Sequence, residues 1–259
     1  MLTQRRLNII TFLLVAGLLL YSYLGQVYIG WWWYLIILLA YSGGLVYGAM
    51  RITAGFFLPV TCNVPTKEKV IAITFDDGPL PQYTPAVLDI LEEAQVPAAF
   101  FCIGKHAAAN TSLLQRIHAA GHVIGNHSFT HHFWFDLFAA PKMLLDMQAA
   151  DQAVEAATGL RPRLFRPPYG VTNPNLAKAI RRGQYVPVGW NIRSLDTVAT
   201  DKNALLQRIL NRLQPGSILL LHDTCAITVE LLPELITQIQ ARGYTIERLD
   251  KLINTPSYA

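Results

Sequence analysis

The chain has 259 residues, room for one α/β domain of roughly 200 residues and a short appendage. Hydrophobic residues make up 52% and charged residues 15%, too apolar a balance for an ordinary soluble domain. Net charge is +4, but Arg5, Arg6 and Arg51 flank one apolar run and the other 18 basic residues face 17 acidic ones, which argues against a nucleic-acid partner needing a clustered basic surface.

The apolar excess sits at the N-terminus. Between Arg6 and Arg51 there is no Asp, Glu, Lys or Arg, and the run divides into residues 7–24 and 31–50. Each piece approaches the ~20 residues of a membrane-spanning helix. The break holds Gln26 and is followed by Trp31, Trp32, Trp33 and Tyr34, an aromatic cluster suited to the headgroup region. The expectation is a transmembrane helical hairpin in an anchor of residues 1–58, giving a multi-pass protein of the cell membrane. A signal peptide followed by a core helix is the alternative, but no small-x-small cleavage site follows Leu20 and the apolar run resumes. Arg5 and Arg6 fit a twin-arginine signal poorly.

After Pro59 short apolar runs alternate with helical stretches. Strands are predicted near 70–75, 98–103, 122–126, 164–166, 185–190, 217–221 and 245–248. Helices are predicted over 85–95, 112–120, 141–158, 174–182, 202–213 and 228–242. About seven parallel βα repeats in a catalytic domain of residues 59–259 imply a barrel or a doubly wound sheet. Cys62, Cys102 and Cys225 are odd in number and widely spaced, which suggests buried thiols rather than disulfides or a metal site.

Polar residues able to do chemistry sit at the ends of these strands: Asp76 and Asp77 follow the first, His127 the third and His222 the sixth, while Arg166 ends the fourth and Asp196 lies a few residues past the fifth. A βα barrel gathers such positions on one face. Asp76-Asp77-Gly78-Pro79 pairs two carboxylates at a turn, where one can bind a cation and the other stay free as a base; a plain Asp-Gly turn without chemistry is the alternative. His127 and His131 are four apart, so one helical turn would put both imidazoles on one face for a shared metal. Two His, one Asp and an open position describe a catalytic metal site, and a non-haem iron oxygenase could use the same set. The spare Asp favours hydrolysis, as a base for a metal-activated water.

With Arg166-Pro167-Pro168-Tyr169-Gly170, Asp196 and Leu219-Leu220-Leu221-His222-Asp223 added, the motifs resemble those of the polysaccharide deacetylase family (carbohydrate esterase family 4, the NodB homology domain). That group includes chitin, nodulation-factor and peptidoglycan deacetylases. The resemblance covers roughly residues 69–249. It implies a deformed (β/α)7 barrel and a divalent metal, zinc or else cobalt, manganese or nickel, held by Asp77, His127 and His131. It also implies Asp76 as general base, Arg166 as its partner, the Tyr169 backbone N–H in the oxyanion hole, His222 as general acid oriented by Asp196, and Leu219 lining the acetyl pocket.

One motif departs from the family. Around Asp196, Arg193 and Thr197 stand where many members have Asp and Trp, leaving one pocket wall unaccounted for and adding a positive charge that could meet a lipid-linked phosphate or pair with a carboxylate. The expected reaction is removal of the N-acetyl group of an amino sugar in a glycan or a lipid-linked saccharide. The alternatives are an inactive carbohydrate-binding protein of the same fold and a deformylase on a lipid-linked amino sugar. With Arg5 and Arg6 inside, two spans put the catalytic domain in the cytoplasm and one span puts it outside. Asn126-His127-Ser128 also reads as a glycosylation sequon, set aside because it lies in the expected metal site.

Overall fold

The uncharged N-terminal run forms two helices, α1 (Gln4–Gly25) and α2 (Trp32–Met50), of 22 and 19 residues. At ~1.5 Å per residue they are about 33 and 28 Å long, and both are long and apolar enough to cross a membrane. The computed structural model describes residues 2–259, so Met1, at the head of the anchor range, lies outside the described residues. The helices run antiparallel: Tyr41 Oη donates to Asn8 Oδ1 (3.1 Å), and Leu7 covers the bare backbone of Gly44. Gln26, in the left-handed region, ends α1.

The start of α1 and the end of α2 both rest on the chain that follows the hairpin. Gln4 N donates to the carbonyl of Phe56, and the Phe56 ring fills the space a side chain at Gly48 would need. Ile52 joins Cys62, Trp190 and Leu220 in one buried cluster, and Leu58 joins another with Phe165 and Leu176. The segment after α2 is therefore packed core rather than a loose tether.

The sheet comprises β1 (Val70–Asp76), β2 (Ala99–Cys102), β3 (Val123–Asn126), β4 (Leu164–Phe165), β5 (Val186–Pro187), β6 (Ile192–Arg193), β7 (Ser217–His222) and β8 (Thr245–Ile246). All pairings are parallel, in the order β5-β4-β3-β2-β1-β7-β6, with β8 on the start of β1. The edge strands β5 and β6 are joined by residues 188–191 alone, so the sheet must curl. This is the deformed (β/α)7 barrel expected from the motifs.

Around it lie α3 (Thr84–Glu93), α4 (Gly104–Ala109), α5 (Thr111–Ala119), α6 (Ala140–Thr158), α7 (Pro174–Gly183), α8 (Lys202–Leu210), α9 (Ala226–Ala241) and α10 (Leu249–Leu252). Strand side chains alternate between two faces. Ile71, Ile73, Phe75, Leu219 and Leu221 enter the main helix-facing core, whereas Ala72 and Ile218 pack on the other face, which also carries Thr74, Asp76 and Leu220.

The run predicted as one strand over 185–190 divides. Pro187 has no N–H to extend the ladder, and Gly189 is pressed against Cys62 and Ile52. Pairing resumes at β6, whose two residues are too few to show any alternation in the sequence. The six residues of α4 likewise cannot display helical periodicity, so nothing in the sequence marks this helix.

The buried His122 is set to weaken the fold in acid. His122 Nδ1 accepts the Ala98 N–H (3.2 Å), so protonation would set two donors against each other. Burial, helped by the charge of Arg248, pulls its pKa down to about 4. Its stabilising contribution is complete above the unfolded value of ~6.5 and is lost as pH falls through 6.5 toward 4, about 3 kcal/mol in all. His122→Asn, whose amide oxygen can accept the same N–H, is expected to flatten the fall in melting temperature between pH 6.5 and 4; an unchanged slope would exonerate His122.

Candidate active site

At the C-terminal ends of the strands lies a cleft of about 190 Å³, lined by Asp76, Asp77, His127, His131, Tyr169 and His222 together with Pro167, Trp190, Arg193, Thr197 and Leu220. Asp76 closes β1, and Asp77 follows with φ +77, a left-handed setting costing ~1–3 kcal/mol for a residue with a side chain. That turn sends the two carboxylates apart.

Asp76 faces Arg166, which is fully buried at the end of β4. Arg166 Nη1 donates to Asp76 Oδ1 (2.7 Å) and Thr74 Oγ1 (2.8 Å), Nη2 to the Gly189 carbonyl (2.9 Å) and Nε to that of Val188 (3.3 Å). Its guanidinium lies 4.0 Å from the centre of the Phe101 ring. The pair is fixed on every side, as a buried ion pair must be to offset its desolvation.

Asp77 faces the histidines. Its Oδ1 lies 3.4 Å from His127 Nε2 and 3.5 Å from His131 Nε2, is buried, and has no hydrogen-bond partner among the described residues. His127 Nδ1 is 2.7 Å from the Arg166 carbonyl, so Nδ1 carries the proton and Nε2 is turned to Asp77. That is the usual setting of a metal-ligating histidine. Ligand atoms of Asp77, His127 and His131 fall within 4.8 Å of one another. Donors ~2.1 Å from a shared tetrahedral ion stand ~3.4 Å apart, and the 3.4 and 3.5 Å from Asp77 to the two imidazoles are of that size, so the donor set fits a divalent cation. Burial alone would raise the Asp77 carboxyl, but the imidazoles of His127, His131 and His222 hold it well below the usual carboxylate range.

The route by which His127 and His131 converge differs from the expected helical turn. Residues 127–131 form a bent loop, with Ser128 at φ +62 and His131 at φ +46. Ser128 N donates to Asn126 Oδ1 (2.8 Å) and His131 N to Ser128 Oγ (3.1 Å). Asn126 is itself buried, its Nδ2 donating to Asp151 Oδ1 (2.7 Å), while Asp146 accepts from Phe129 N and Thr130 Oγ1. Hydrogen bonds spanning 16 to 25 residues of chain brace the turn, and i,i+4 spacing could not reveal them.

On the opposite wall His222 Nδ1 lies 2.7 Å from Asp196 Oδ1. Asp196, buried just past β6, also accepts from His222 N, Thr228 Oγ1, Ser194 Oγ and Thr197 N. Burial would lower the His222 pKa, but the Asp196 contact outweighs it and carries it to about 8. Asp223 is buried beside it, accepts from Thr84 Oγ1 (2.6 Å) and is pushed up to about 7 by burial. Its carboxylate occupies the space a side chain at Gly78 would take, which explains the glycine.

Tyr169, at φ +58, lays its ring against His131 with centroids 4.8 Å apart. Gly170 follows at φ +71, and a Cβ there would meet the Trp190 ring at 2.6 Å. Leu219 must be corrected: it points into the helix-facing core, and Leu220 lines the cleft. Alternation along β7 decides this, since Leu220 pairs with Thr74 and shares the face of Asp76 and His222. Trp190, unassigned from sequence, supplies a wall beside Thr197. Arg193 is exposed on the rim and forms no ion pair among the described residues, so the pairing with a carboxylate is not found.

A family model described as polysaccharide deacetylase matches residues 63–188. The chain is 33% identical over 192 residues to the peptidoglycan-N-acetylmuramic acid deacetylase of Bacillus subtilis, covering 73% of each chain. It is 33% identical over 202 residues to a chitooligosaccharide deacetylase of Azorhizobium caulinodans, covering 72% of this chain and 96% of that one. Among solved structures, a peptidoglycan N-acetylglucosamine deacetylase superimposes with a TM-score of 0.73 at 27% identity, over 77% of this chain and 95% of that one. A Bacillus anthracis pseudoenzyme of carbohydrate esterase family 4 superimposes at 0.70 and 28% identity, over 74% and 68%.

Proposed function

The chain belongs to the polysaccharide deacetylase family, hydrolases of carbohydrate N-acetyl groups, and from that membership we propose that it is anchored in a membrane, depends on a divalent metal, and deacetylates an amino sugar in a glycan or a lipid-linked saccharide. The observation that carries this reading is the meeting of Asp76, Asp77, His127, His131 and His222 in one cleft, with Arg166 and Asp196 buried behind them.

An amide is a poor electrophile with a poor leaving group, so it needs an activated nucleophile, a polarised carbonyl and a proton donor together. Asp77, His127 and His131 hold the metal, which when bound supplies Lewis acidity toward the carbonyl and lowers the pKa of water. Asp76, held in place by Arg166, takes the proton of the attacking water as its oxygen bonds to the acetyl carbon. The Tyr169 N–H donates to the oxygen on which negative charge grows. His222 then passes a proton to the departing nitrogen, the C–N bond breaks, and acetate and a free amine result. Asp196 fixes the imidazole and favours its charged form, so the donor is loaded at neutral pH. Leu220 and Trp190 form the walls for the acetyl methyl.

The arrangement of charge supports a cytoplasmic face. Arg5, Arg6 and Arg51 gather at the end of the hairpin that meets the catalytic domain, and residues 26–31 at the far end carry no charge. A cytoplasmic active site favours a lipid-linked precursor over a finished wall polymer, and the unpaired Arg193 on the rim suits an anionic linkage. Arg193→Ala is expected to lower kcat/KM on a phosphorylated amino sugar about tenfold, the effect of ~1.4 kcal/mol, while changing a neutral chito-oligomer less than twofold. Equal losses would remove Arg193 from substrate recognition.

The whole reading is tested by acetate release from N-acetylglucosamine oligomers and from a lipid-linked N-acetylated amino sugar, with formate measured alongside. Release of acetate from either supports it. No release from a folded, metal-loaded sample would favour the inactive binder, and formate alone the deformylase.

A further inference from the structure

Beside the cleft the loop after His131 exposes large apolar side chains: Phe133 is 69% exposed, Trp134 56% and Leu137 73%. With Tyr169 and Val171 they line a shallow apolar hollow of about 280 Å³. Tyr169 belongs to both hollow and cleft, and its ring sits between those of His131 and Phe133, with centroids 4.8 and 6.4 Å away. The site therefore opens directly beside this patch.

The patch is also tied to the anchor. Thr172, three residues after Tyr169, donates through its N to the Ala49 carbonyl (3.0 Å) and through Oγ1 to that of Gly48 (3.2 Å), in the last turn of α2. Asn173 Nδ2 donates to the Asp136 carbonyl (2.7 Å), inside the exposed loop. A short hydrogen-bonded path thus runs from the end of α2 to the segment holding Trp134 and Leu137. The end of α2 marks where the chain leaves the bilayer, so whatever is fastened there sits at headgroup level.

We propose that the loop bearing Phe133, Trp134 and Leu137 is a membrane-contact surface that dips into the leaflet beside α2 and turns the cleft toward an amino sugar carried on a lipid in that leaflet. This rests on the membrane-anchored reading above. The occupant is the bilayer because the patch is fastened beside the end of α2: large aromatic and aliphatic side chains, exposed and adjacent to a helix end, are what an interfacial contact requires. Asp136 is the one carboxylate lining the hollow, and burial pushes it up to about 6, so it takes up a proton on further desolvation more readily than an ordinary carboxylate. A substrate confined to the leaflet would reach the cleft at a high effective concentration.

The test uses the full chain in liposomes. Flotation with the vesicles is read first. Trp134 emission is then isolated as the difference between wild type and Trp134→Phe, in ordinary lipid and in lipid brominated near the headgroup end of its acyl chains. Activity of the double variant Trp134→Ser/Leu137→Ser is measured on a lipid-linked N-acetylated amino sugar in the vesicle and on a soluble chito-oligomer. Expected are flotation, at least twofold quenching of the Trp134 signal, and about a tenfold loss on the lipid-linked substrate with less than twofold on the soluble one. An unquenched Trp134 in a protein that floats would overturn the contact surface and leave the anchor standing. Loss confined to the soluble oligomer would overturn it in favour of a glycan-stacking patch, and failure to float would overturn anchor and patch together. Quenching without deacetylation of either substrate would support the surface while sinking the proposed reaction.

Discussion

Asp76→Asn is expected to reduce acetate release by about 10²–10⁴-fold, the usual contribution of a positioned general base. The amide keeps the shape of the side chain but cannot take a proton from water. The same change strips the buried Arg166 of its anionic partner, and breaking a buried pair costs about 3–5 kcal/mol. Arg166 retains Thr74 Oγ1 and the carbonyls of Val188 and Gly189, so the loss should fall toward the lower end of that range. Melting temperature measured beside activity separates the two effects. Arg166→Met should destabilise more, since it leaves the buried Asp76 without its cationic partner, and the double variant should regain stability without regaining activity. An Asp76→Asn protein that kept more than a tenth of wild-type activity would refute the assignment of Asp76 as base.

Removal of metal should abolish activity outright. Dialysis against a chelator is expected to bring acetate release to background, and added zinc to restore it, with cobalt, manganese and nickel compared as substitutes. Asp77→Asn should bind less metal per chain by elemental mass spectrometry, because the buried Oδ1 facing His127 and His131 loses its charge. Metal at 100 times its Kd should stabilise the folded chain by about 2.7 kcal/mol. For a domain of this size that is about 5–10 °C in melting temperature. A metal-free chain with undiminished activity and an unmoved melting temperature would refute the site at Asp77, His127 and His131.

Much of this site was legible because its residues lie at strand ends, where a parallel βα fold gathers distant segments whatever their separation. Asp76, Asp77, His127, Arg166 and His222 each follow a short apolar run, and the structure brings them to one cleft. Asp196 was found by its motif although β6, the strand leading to it, was not: two residues carry no periodicity. Leu219 was misplaced for a related reason. In the run Leu219-Leu220-Leu221 every residue is apolar, so a strand buried on both faces conceals which leucine points into the cleft.

The sequence by itself determined the uncharged hairpin, the alternation of βα units and the identity of the groups available for chemistry, because these depend on local composition and spacing. Only the tertiary structure decided how they meet. The loop over residues 127–131 is bent by Asn126, Ser128 and Asp146 rather than wound as a helix, since its backbone donors find side-chain acceptors from α6 and from within the loop. Trp190 walls the cleft because Gly170 leaves it room. The end of α2 is fastened beside Tyr169 through Thr172, a contact between residues more than 120 positions apart that no local pattern encodes. Which face of a strand is wet, and which loop lies next to the anchor, are set by packing across the whole chain.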